Sequence, residues 1–130
     1  MSEEEQEQED AKQHIYTLLN RSCKVLVHEI GHLFGIGHCI YFNCCMNGSG
    51  HLEEDYRQSM HLCPVDLHKL QHCIGFDVAL RYKRMAAFYR RHPQAFEAEL
   101  QWIEKRLYFF EQKEKEQENK DEDVLMYLDL

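Results

Sequence analysis

Between residues 11 and 35, apolar side chains recur three and four residues apart, which is the spacing of one face of an α-helix. They form two stripes: Ile15, Leu19, Leu26, Ile30 and Leu33 on one, and Leu18 and Val25 on the other. A helix that is apolar around much of its circumference is usually buried, so the pattern predicts a central helix. Ahead of it, residues 2–10 are rich in Glu and Gln and indicate either a solvated helix extension or a disordered tail.

Three further helices are predicted, and no segment shows the alternating pattern of a strand. Pro64 favours a helix start and Gly75 a helix end, which predicts a short helix over residues 65–74. Another helical pattern covers residues 76–91, and Pro93 interrupts it before the last run begins. In that run, apolar residues alternate at spacings of four and three: Phe96, Leu100, Ile103, Leu107 and Phe110.

Two heptads of this kind form either an antiparallel hairpin with the preceding helix or a short coiled coil with a partner. Packing within the chain is the favoured interpretation, because two heptads are short for a coiled coil. Residues 111–123 then indicate a solvated, charged helix face, and the apolar end over residues 124–130 either docks or frays.

In contrast, residues 36–62 show no sustained periodicity, and a loop of this length is unusual in a compact domain unless a metal holds it.

Composition narrows the function classes. A chain of 130 residues fits one domain, and its net charge of −8 disfavours nucleic acid and anionic membrane surfaces as partners. The acidic N-terminus does not resemble a secretory signal, which indicates an intracellular, cytoplasmic protein, with the nucleus as an alternative. In a reducing compartment, the six cysteines are better interpreted as metal ligands or buried thiols than as disulfides.

The segment HEIGHLFGIGHC, which begins at His28, carries the pattern of a catalytic zinc site. His28 and His32 are one helical turn apart, so both imidazoles can reach one zinc ion. Glu29 lies where a general base for a zinc-bound water belongs. Gly35 allows the chain to turn back, so that His38 becomes a third ligand and a fourth position stays open for water. The alternative is a His-rich helix whose imidazoles are merely packed or exposed.

Cysteines follow this segment closely. Cys39, Cys44, Cys45 and Cys63 all lie on or beside the long loop. Thiolates gathered on a loop with few apolar anchors favour a second metal, which would hold the loop in place. Buried free thiols are the alternative interpretation.

Together with Cys44 and Met46 and the segments HLEED and LCPVDLHKLQHCIGF, this motif resembles the archaemetzincins, metzincin-type zinc metallopeptidases, and is most similar to their vertebrate branch. The resemblance covers roughly residues 20–85. It implies hydrolysis of peptide bonds with zinc as the cofactor. The roles it implies are catalytic zinc ligands at His28, His32 and His38, a general base at Glu29 and the methionine turn at Met46.

The resemblance also implies a second, structural zinc, for which Cys39, Cys44 and Cys63 match three of the four family cysteines. The fourth family cysteine lies three residues after Cys63, where this chain has Asp66. A carboxylate ligates zinc, so a set of three cysteines and one aspartate is feasible but harder to form. Nearby substitutes without the family spacing are Cys45, His68 and Cys73.

Metzincins place a sheet before the active-site helix, whereas residues 1–27 here read as an acidic lead into that helix. We therefore expect an N-terminally truncated, mostly α fold: the active-site helix and lower half of a metzincin-like catalytic domain, without its N-terminal sheet. The expected organisation is an acidic lead over residues 1–10, a partial catalytic domain over residues 11–92, and a C-terminal helical extension with a charged tail over residues 93–130. The uncovered helix face then favours instability, a partner, or cover by the C-terminal helices.

Three functions are compatible with these features. The leading one is a zinc metallopeptidase that acts on peptides or proteins. The second is a catalytically impaired zinc-binding module that binds a protein partner through its C-terminal helices. The third is a structural helical protein without metal, whose helicity a chelator would leave unchanged.

Overall fold

The computed structural model describes residues 1–48 and 58–128 of the chain. Four helices follow one another: α1 over Glu3–Leu33, α2 over Pro64–Ile74, α3 over Val78–Arg91 and α4 over Pro93–Leu128. No strand is present in these two ranges, so the mostly α fold class is confirmed there. Gly50 and the segment HLEED lie outside the described residues. Among the described residues, no helix has the length and apolar character needed to cross a membrane.

The acidic lead is the first part of α1. Ser2 is the N-cap: its Oγ accepts a hydrogen bond from the Glu5 amide at 3.2 Å, and the Glu5 carboxylate accepts one from the Ser2 amide at 2.8 Å. This reciprocal pair satisfies two backbone donors that the helix itself leaves unpaired. The first turn also carries three glutamates, which complement the positive end of the helix dipole. The solvated helix extension is therefore confirmed over the disordered tail.

The prediction that α1 is central is wrong. Leu18, Leu26 and Leu33 are 66%, 59% and 83% exposed, and Ile15 and Val25 are also largely exposed. Within the described part of the chain, other elements contact α1 along one side of this apolar face, through Leu19, Cys23 and Val27 and also through Asn20 and Gly31. Apolar periodicity shows which face of a helix would favour burial, but it does not show whether another element covers that face.

The last two helices form the predicted intramolecular hairpin. α3 begins after the N-cap Asp77, whose carboxylate accepts the Leu80 amide at 2.7 Å, and Pro93 starts α4 directly after α3 ends. The helix kinks at Phe96, where φ is −131° and ψ is 29°. The buried core of the hairpin contains Tyr82, Ala86, Tyr89, Phe96 and Ile103, with Leu100, Leu107 and Phe110 packed against it. Residues 111–128 continue as a helix, and its apolar end is exposed rather than docked.

A second, smaller core holds the loop that follows α1. Its buried members are Ile36, Cys44, Cys45, Met46, Leu62 and Cys63. Cys63 is the N-cap of α2, and Gly75 ends that helix with a φ of 76°, in the left-handed region that glycine adopts without strain. The loop core and the end of α1 together position the histidine and cysteine side chains described next.

Candidate metal centre

The structure brings His28, His32 and His38 together at the C-terminal end of α1. One ring nitrogen from each lies within 4.8 Å of the others. The Nε2 atoms of His28 and His32 are 3.0 Å apart. The centroid of the His38 ring lies 5.3 Å from that of His28 and 4.9 Å from that of His32. We call this group the histidine cluster.

The chain reverses direction after α1 through a Schellman motif. The Gly35 amide donates to the His32 carbonyl at 3.0 Å, and the Ile36 amide donates to the Gly31 carbonyl at 3.1 Å. Gly35 has a φ of 80°, which this motif requires and which side chains with a Cβ rarely adopt. The turn aims the following residues back across the end of the helix, and His38 reaches the other two imidazoles for this reason.

Replacing Gly35 with alanine is expected to lower the free energy of unfolding by about 1–2 kcal/mol, because the left-handed conformation strains an L-residue. Gly37→Ala is the matched control, since Gly37 has no positive φ and an added Cβ there meets no atom within 4 Å. Chemical denaturation of both variants, monitored by helical circular dichroism, measures the difference. Equal stabilities would contradict the role assigned to the turn.

Backbone carbonyls orient two of the three imidazoles. The Nδ1 atom of His28 lies 2.8 Å from the Cys45 carbonyl oxygen, and that of His32 lies 2.8 Å from the Ile36 carbonyl oxygen. A carbonyl only accepts, so each Nδ1 carries the proton and donates it, which leaves the Nε2 lone pair available. Metal-binding histidines in proteins commonly make this outer hydrogen bond. The donor set and its tautomers therefore fit a zinc ion.

Asn47 holds the loop that carries Cys39 and Cys44 in place. Its Oδ1 accepts from the Cys44 amide at 3.0 Å, and its Nδ2 donates to the carbonyls of Cys39 at 2.9 Å and Phe42 at 2.8 Å. Sequence reasoning missed this residue. An Asn that closes a turn through its own side chain has a recognisable short-range pattern, but its distant acceptors do not.

Gln58 is a second residue that sequence reasoning missed. Its Nε2 donates to the carbonyl of Cys45 at 2.6 Å and to that of Asn47 at 2.9 Å. The same Cys45 carbonyl accepts the His28 Nδ1 proton, so Gln58 helps to fix the group that orients this imidazole. No local pattern in the sequence distinguishes Gln58 from a surface glutamine.

Met46 packs against the turn of α1 that carries the first two histidines. It is fully buried, and a Cβ added at Gly31 would lie 2.9 Å from the Met46 Cε. Gly48 has the same relation to His38, because a Cβ there would lie 2.9 Å from Nδ1 of that ring. Only glycine fits at these two positions while the side chains keep their places. Glu29, in contrast, follows His28 on an exposed face of α1.

A second group, which we call the cysteine cluster, lies beside the first. Its ligand atoms come from Cys39, Cys44, Cys63 and Asp66, and they all lie within 4.8 Å of one another. The sulfurs of Cys39 and Cys63 are 3.9 Å apart, and Asp66 Oδ2 lies 3.2 Å from the Cys44 sulfur. Two sulfurs bound at about 2.3 Å to one tetrahedral zinc lie about 3.8 Å apart, so these separations fit the ion.

The substitutes for Asp66 that the sequence left open are not part of this cluster. His68 and Cys73 are exposed on α2. Cys45 is fully buried, but its sulfur does not belong to either group of ligand atoms in the described residues. Of the four candidates at this position, Asp66 is the one that the fold brings to the three sulfurs.

Backbone amides point at the sulfurs of the cysteine cluster. The amides of Met46 and Cys63 lie 3.4 Å and 3.2 Å from the Cys44 sulfur, and the Asp66 amide lies 3.4 Å from the Cys63 sulfur. Such donors stabilise a thiolate. Burial nevertheless raises the pKa of the Cys44 thiol well above its ordinary value, with the neighbouring Asp66 and Cys63 side chains adding to the rise. A cation bound beside this sulfur would lower the pKa of the thiol again.

Part of the chain is similar to known proteins. The model of "Peptidase family M54" matches residues 7–72, which is about half of the chain. Archaemetzincin-2 from Homo sapiens is 56% identical over 68 residues, and Archaemetzincin-1 from the same species is 46% identical over 63 residues. These segments cover 52% and 48% of this chain.

The matched segment spans 19% of the length of human Archaemetzincin-2 and 13% of that of Archaemetzincin-1. Archaemetzincin-2 from Mus musculus is 52% identical over the same length of 68 residues, which again is 19% of the relative. No solved structure matches the chain. The family match includes the histidine cluster and the cysteine cluster in full, and the chain belongs to peptidase family M54, the archaemetzincins.

Proposed function

We propose that this chain is a zinc-dependent metallopeptidase that hydrolyses peptide bonds in peptide or protein substrates. The observation that carries the proposal is the histidine cluster, in which His28, His32 and His38 converge and carbonyls fix the tautomers of two of them. Membership of a peptidase family supports the reaction class. When bound there, zinc supplies Lewis acidity, which lowers the pKa of a water molecule and polarises the peptide carbonyl.

His28, His32 and Glu29 have different roles in this reaction. His28 and His32 would hold the metal through Nε2, because each Nδ1 donates its proton to a carbonyl oxygen. Glu29 is exposed on α1 directly after His28. Its carboxylate accepts a proton from the attacking water and returns that proton to the amine of the departing product.

We further propose that the cysteine cluster binds a second, structural zinc. Three sulfurs and one carboxylate oxygen provide four ligands, which is the closed set of a structural site. Bound in this way, the ion fixes a loop that otherwise has a small apolar core.

The test measures zinc and peptide hydrolysis on the same preparation. Purified protein is expected to contain two zinc ions per chain and to hydrolyse a set of short fluorogenic peptides, to lose hydrolysis with a chelator and to recover it when zinc returns. The double variant His28→Ala, His32→Ala is expected to bind one zinc ion fewer and to hydrolyse nothing. Hydrolysis that survives this double substitution would contradict the proposal.

A second candidate function is a zinc-binding module that acts through a protein partner. It is favoured by exposed aromatic residues on the C-terminal helix, where Tyr108 is 64% and Phe109 is 50% exposed. In the described ranges there is also no strand edge on which an extended peptide could align. Full zinc content together with no hydrolysis of any peptide in the set would favour this second function.

A further inference from the structure

The two clusters share backbone segments. His38 and Cys39 are adjacent, so one ligand of each cluster lies on the same peptide unit. On the other side, the Cys45 carbonyl orients His28, and Cys45 directly follows the ligand Cys44. Movement of Cys39 therefore moves His38, and movement of Cys44 moves the carbonyl that orients His28.

Hydrogen bonds make this connection stiff. The Cys39 amide donates to the Met46 carbonyl at 2.9 Å, and the Cys45 amide donates to the His61 carbonyl at 2.8 Å. Met46 in turn packs under the helix turn at Gly31, between the first two histidines. A change in the cysteine cluster reaches the histidine cluster through one or two bonded or packed contacts.

The fourth ligand of the cysteine cluster is chemically the weakest. Asp66 is 4% exposed, and its Oδ1 lies 3.7 Å from Nζ of Lys69, a side chain that is 59% exposed. A carboxylate is a harder ligand than a thiolate and matches zinc less well in a sulfur-rich site. The Lys69 ammonium also competes with a metal for the same carboxylate.

This weak ligand borders a cavity of about 160 Å³. Asp66 and Lys69 line the cavity, which extends to Cys39 and His38. Its other walls come from Gly37, from residues 40–42 of the loop and from Val65. The cavity thus brings open space up to two ligands of the cysteine cluster, Cys39 and Asp66.

We propose that the cysteine cluster is an exchangeable metal site and that its occupancy sets the affinity of the histidine cluster for zinc. With metal on Cys39, Cys44, Cys63 and Asp66, the loop places His38 and the Cys45 carbonyl for the second ion. Without it, these two groups lose their support, and the histidine cluster binds weakly. The inference rests on the proposed function, because it takes both clusters to be metal sites.

Cobalt(II) titration of the whole chain tests the inference, since a charge-transfer band marks the cysteine cluster alone. Thiolate ligands produce this band in the near ultraviolet in addition to visible ligand-field bands, whereas three imidazoles produce only visible bands. Visible intensity gained after the charge-transfer band is complete therefore reports the histidine cluster. In the unchanged protein, the charge-transfer band is expected to saturate before the ligand-field bands of the histidine cluster reach their final intensity. Release of the cobalt by a chelator is then followed at both signals.

Two substitutions of Asp66 are expected to affect the two clusters differently. Asp66→Cys adds a fourth thiolate, and release from the cysteine cluster is expected to slow by at least about tenfold, while the histidine cluster keeps its affinity. Asp66→Asn removes a charged ligand, and the affinity of the histidine cluster is expected to fall by about 10–100-fold, as is usual when a supporting group of a metal site is lost. Asp77→Asn is the matched control, because Asp77 caps α3 and asparagine caps a helix equally well.

The readouts separate this inference from the proposed function. If Asp66→Asn loses the charge-transfer band but keeps the full affinity of the histidine cluster, the coupling is overturned while the peptidase proposal stands. If Asp66→Cys releases cobalt as fast as the unchanged protein, the exchangeable site is overturned, and this result does not depend on the folding of Asp66→Asn. If the unchanged protein binds cobalt at neither cluster, both proposals fail together.

Discussion

Replacing Glu29 with glutamine is expected to lower the rate of peptide hydrolysis by about 10²–10⁴-fold, which is the usual contribution of a positioned general base. Glutamine keeps the size of the side chain but has no carboxylate to accept a proton. Because Glu29 belongs to neither group of ligand atoms, the zinc content is expected to stay the same. Its exposed position on α1 also means that the substitution costs little stability.

The measurement compares kcat/KM and zinc content for the unchanged protein and for Glu29→Gln. Glu9→Gln is the matched control, since it makes the same chemical change on the same exposed helix about five and a half turns away. Its rate is expected to equal that of the unchanged protein. Equal rates for Glu29→Gln and Glu9→Gln would remove Glu29 from the mechanism, and a loss of zinc in Glu29→Gln would make it a metal-site residue instead.

The histidine cluster was predictable from the sequence because its geometry is local. A spacing of four residues on a helix fixes the relation of His28 to His32, and glycine at position 35 signals the Schellman turn that returns His38. The hairpin of α3 and α4 was predictable for a similar reason. Its helices are adjacent in sequence, and Pro93 marks the boundary between them.

The supporting contacts were not predictable, because they join residues that are distant in sequence. The Cys45 carbonyl that orients His28 lies 17 residues away, and Gln58 reaches it from the far side of the loop. The exposure of α1 was not predictable for the same reason. Its apolar arc is visible in the sequence, but which part is covered depends on where the hairpin docks, and the hairpin meets the edge at Leu19 and Cys23.

The cysteine cluster is an intermediate case. For the fourth ligand, the sequence offered Asp66 at the position of the family cysteine, with Cys45, His68 and Cys73 as nearby substitutes. The resemblance to the family indicated position 66, and the fold brings Asp66 to the three sulfurs because Cys63 is the N-cap of α2 and Asp66 lies in its first turn. A helix start therefore sets the relation between the last two members of this cluster.

His61 connects the loop core to the hairpin core and occupies an unusual environment. Its ring stacks on Trp102 with centroids 3.7 Å apart, and the residue is 8% exposed. Neither ring nitrogen has a hydrogen-bond partner in the part of the chain that the structure describes. Burial, and to a smaller extent the positive charges of Arg81, Arg106 and Lys24, lower the pKa of His61 to about 4.

We expect acid to destabilise the fold through His61. The imidazole is neutral in the folded protein and has a pKa of about 6.5 when unfolded, so unfolding takes up a proton once the pH falls below that value. The stability it contributes is complete above about pH 6.5 and is lost as the pH falls towards 4. Between pH 7 and pH 4 the loss is about 3 kcal/mol, because each pKa unit corresponds to about 1.4 kcal/mol.

The variant His61→Phe isolates this contribution, because phenylalanine keeps an aromatic ring against Trp102 but does not titrate. Urea unfolding of both metal-free proteins at several pH values gives the difference in their free energies of unfolding. All other groups are the same in both proteins, so their contributions cancel in that difference. It is expected to shift by about 3 kcal/mol in favour of His61→Phe as the pH falls from 7 to 4, whereas a constant difference would show that His61 already takes up its proton in the folded state.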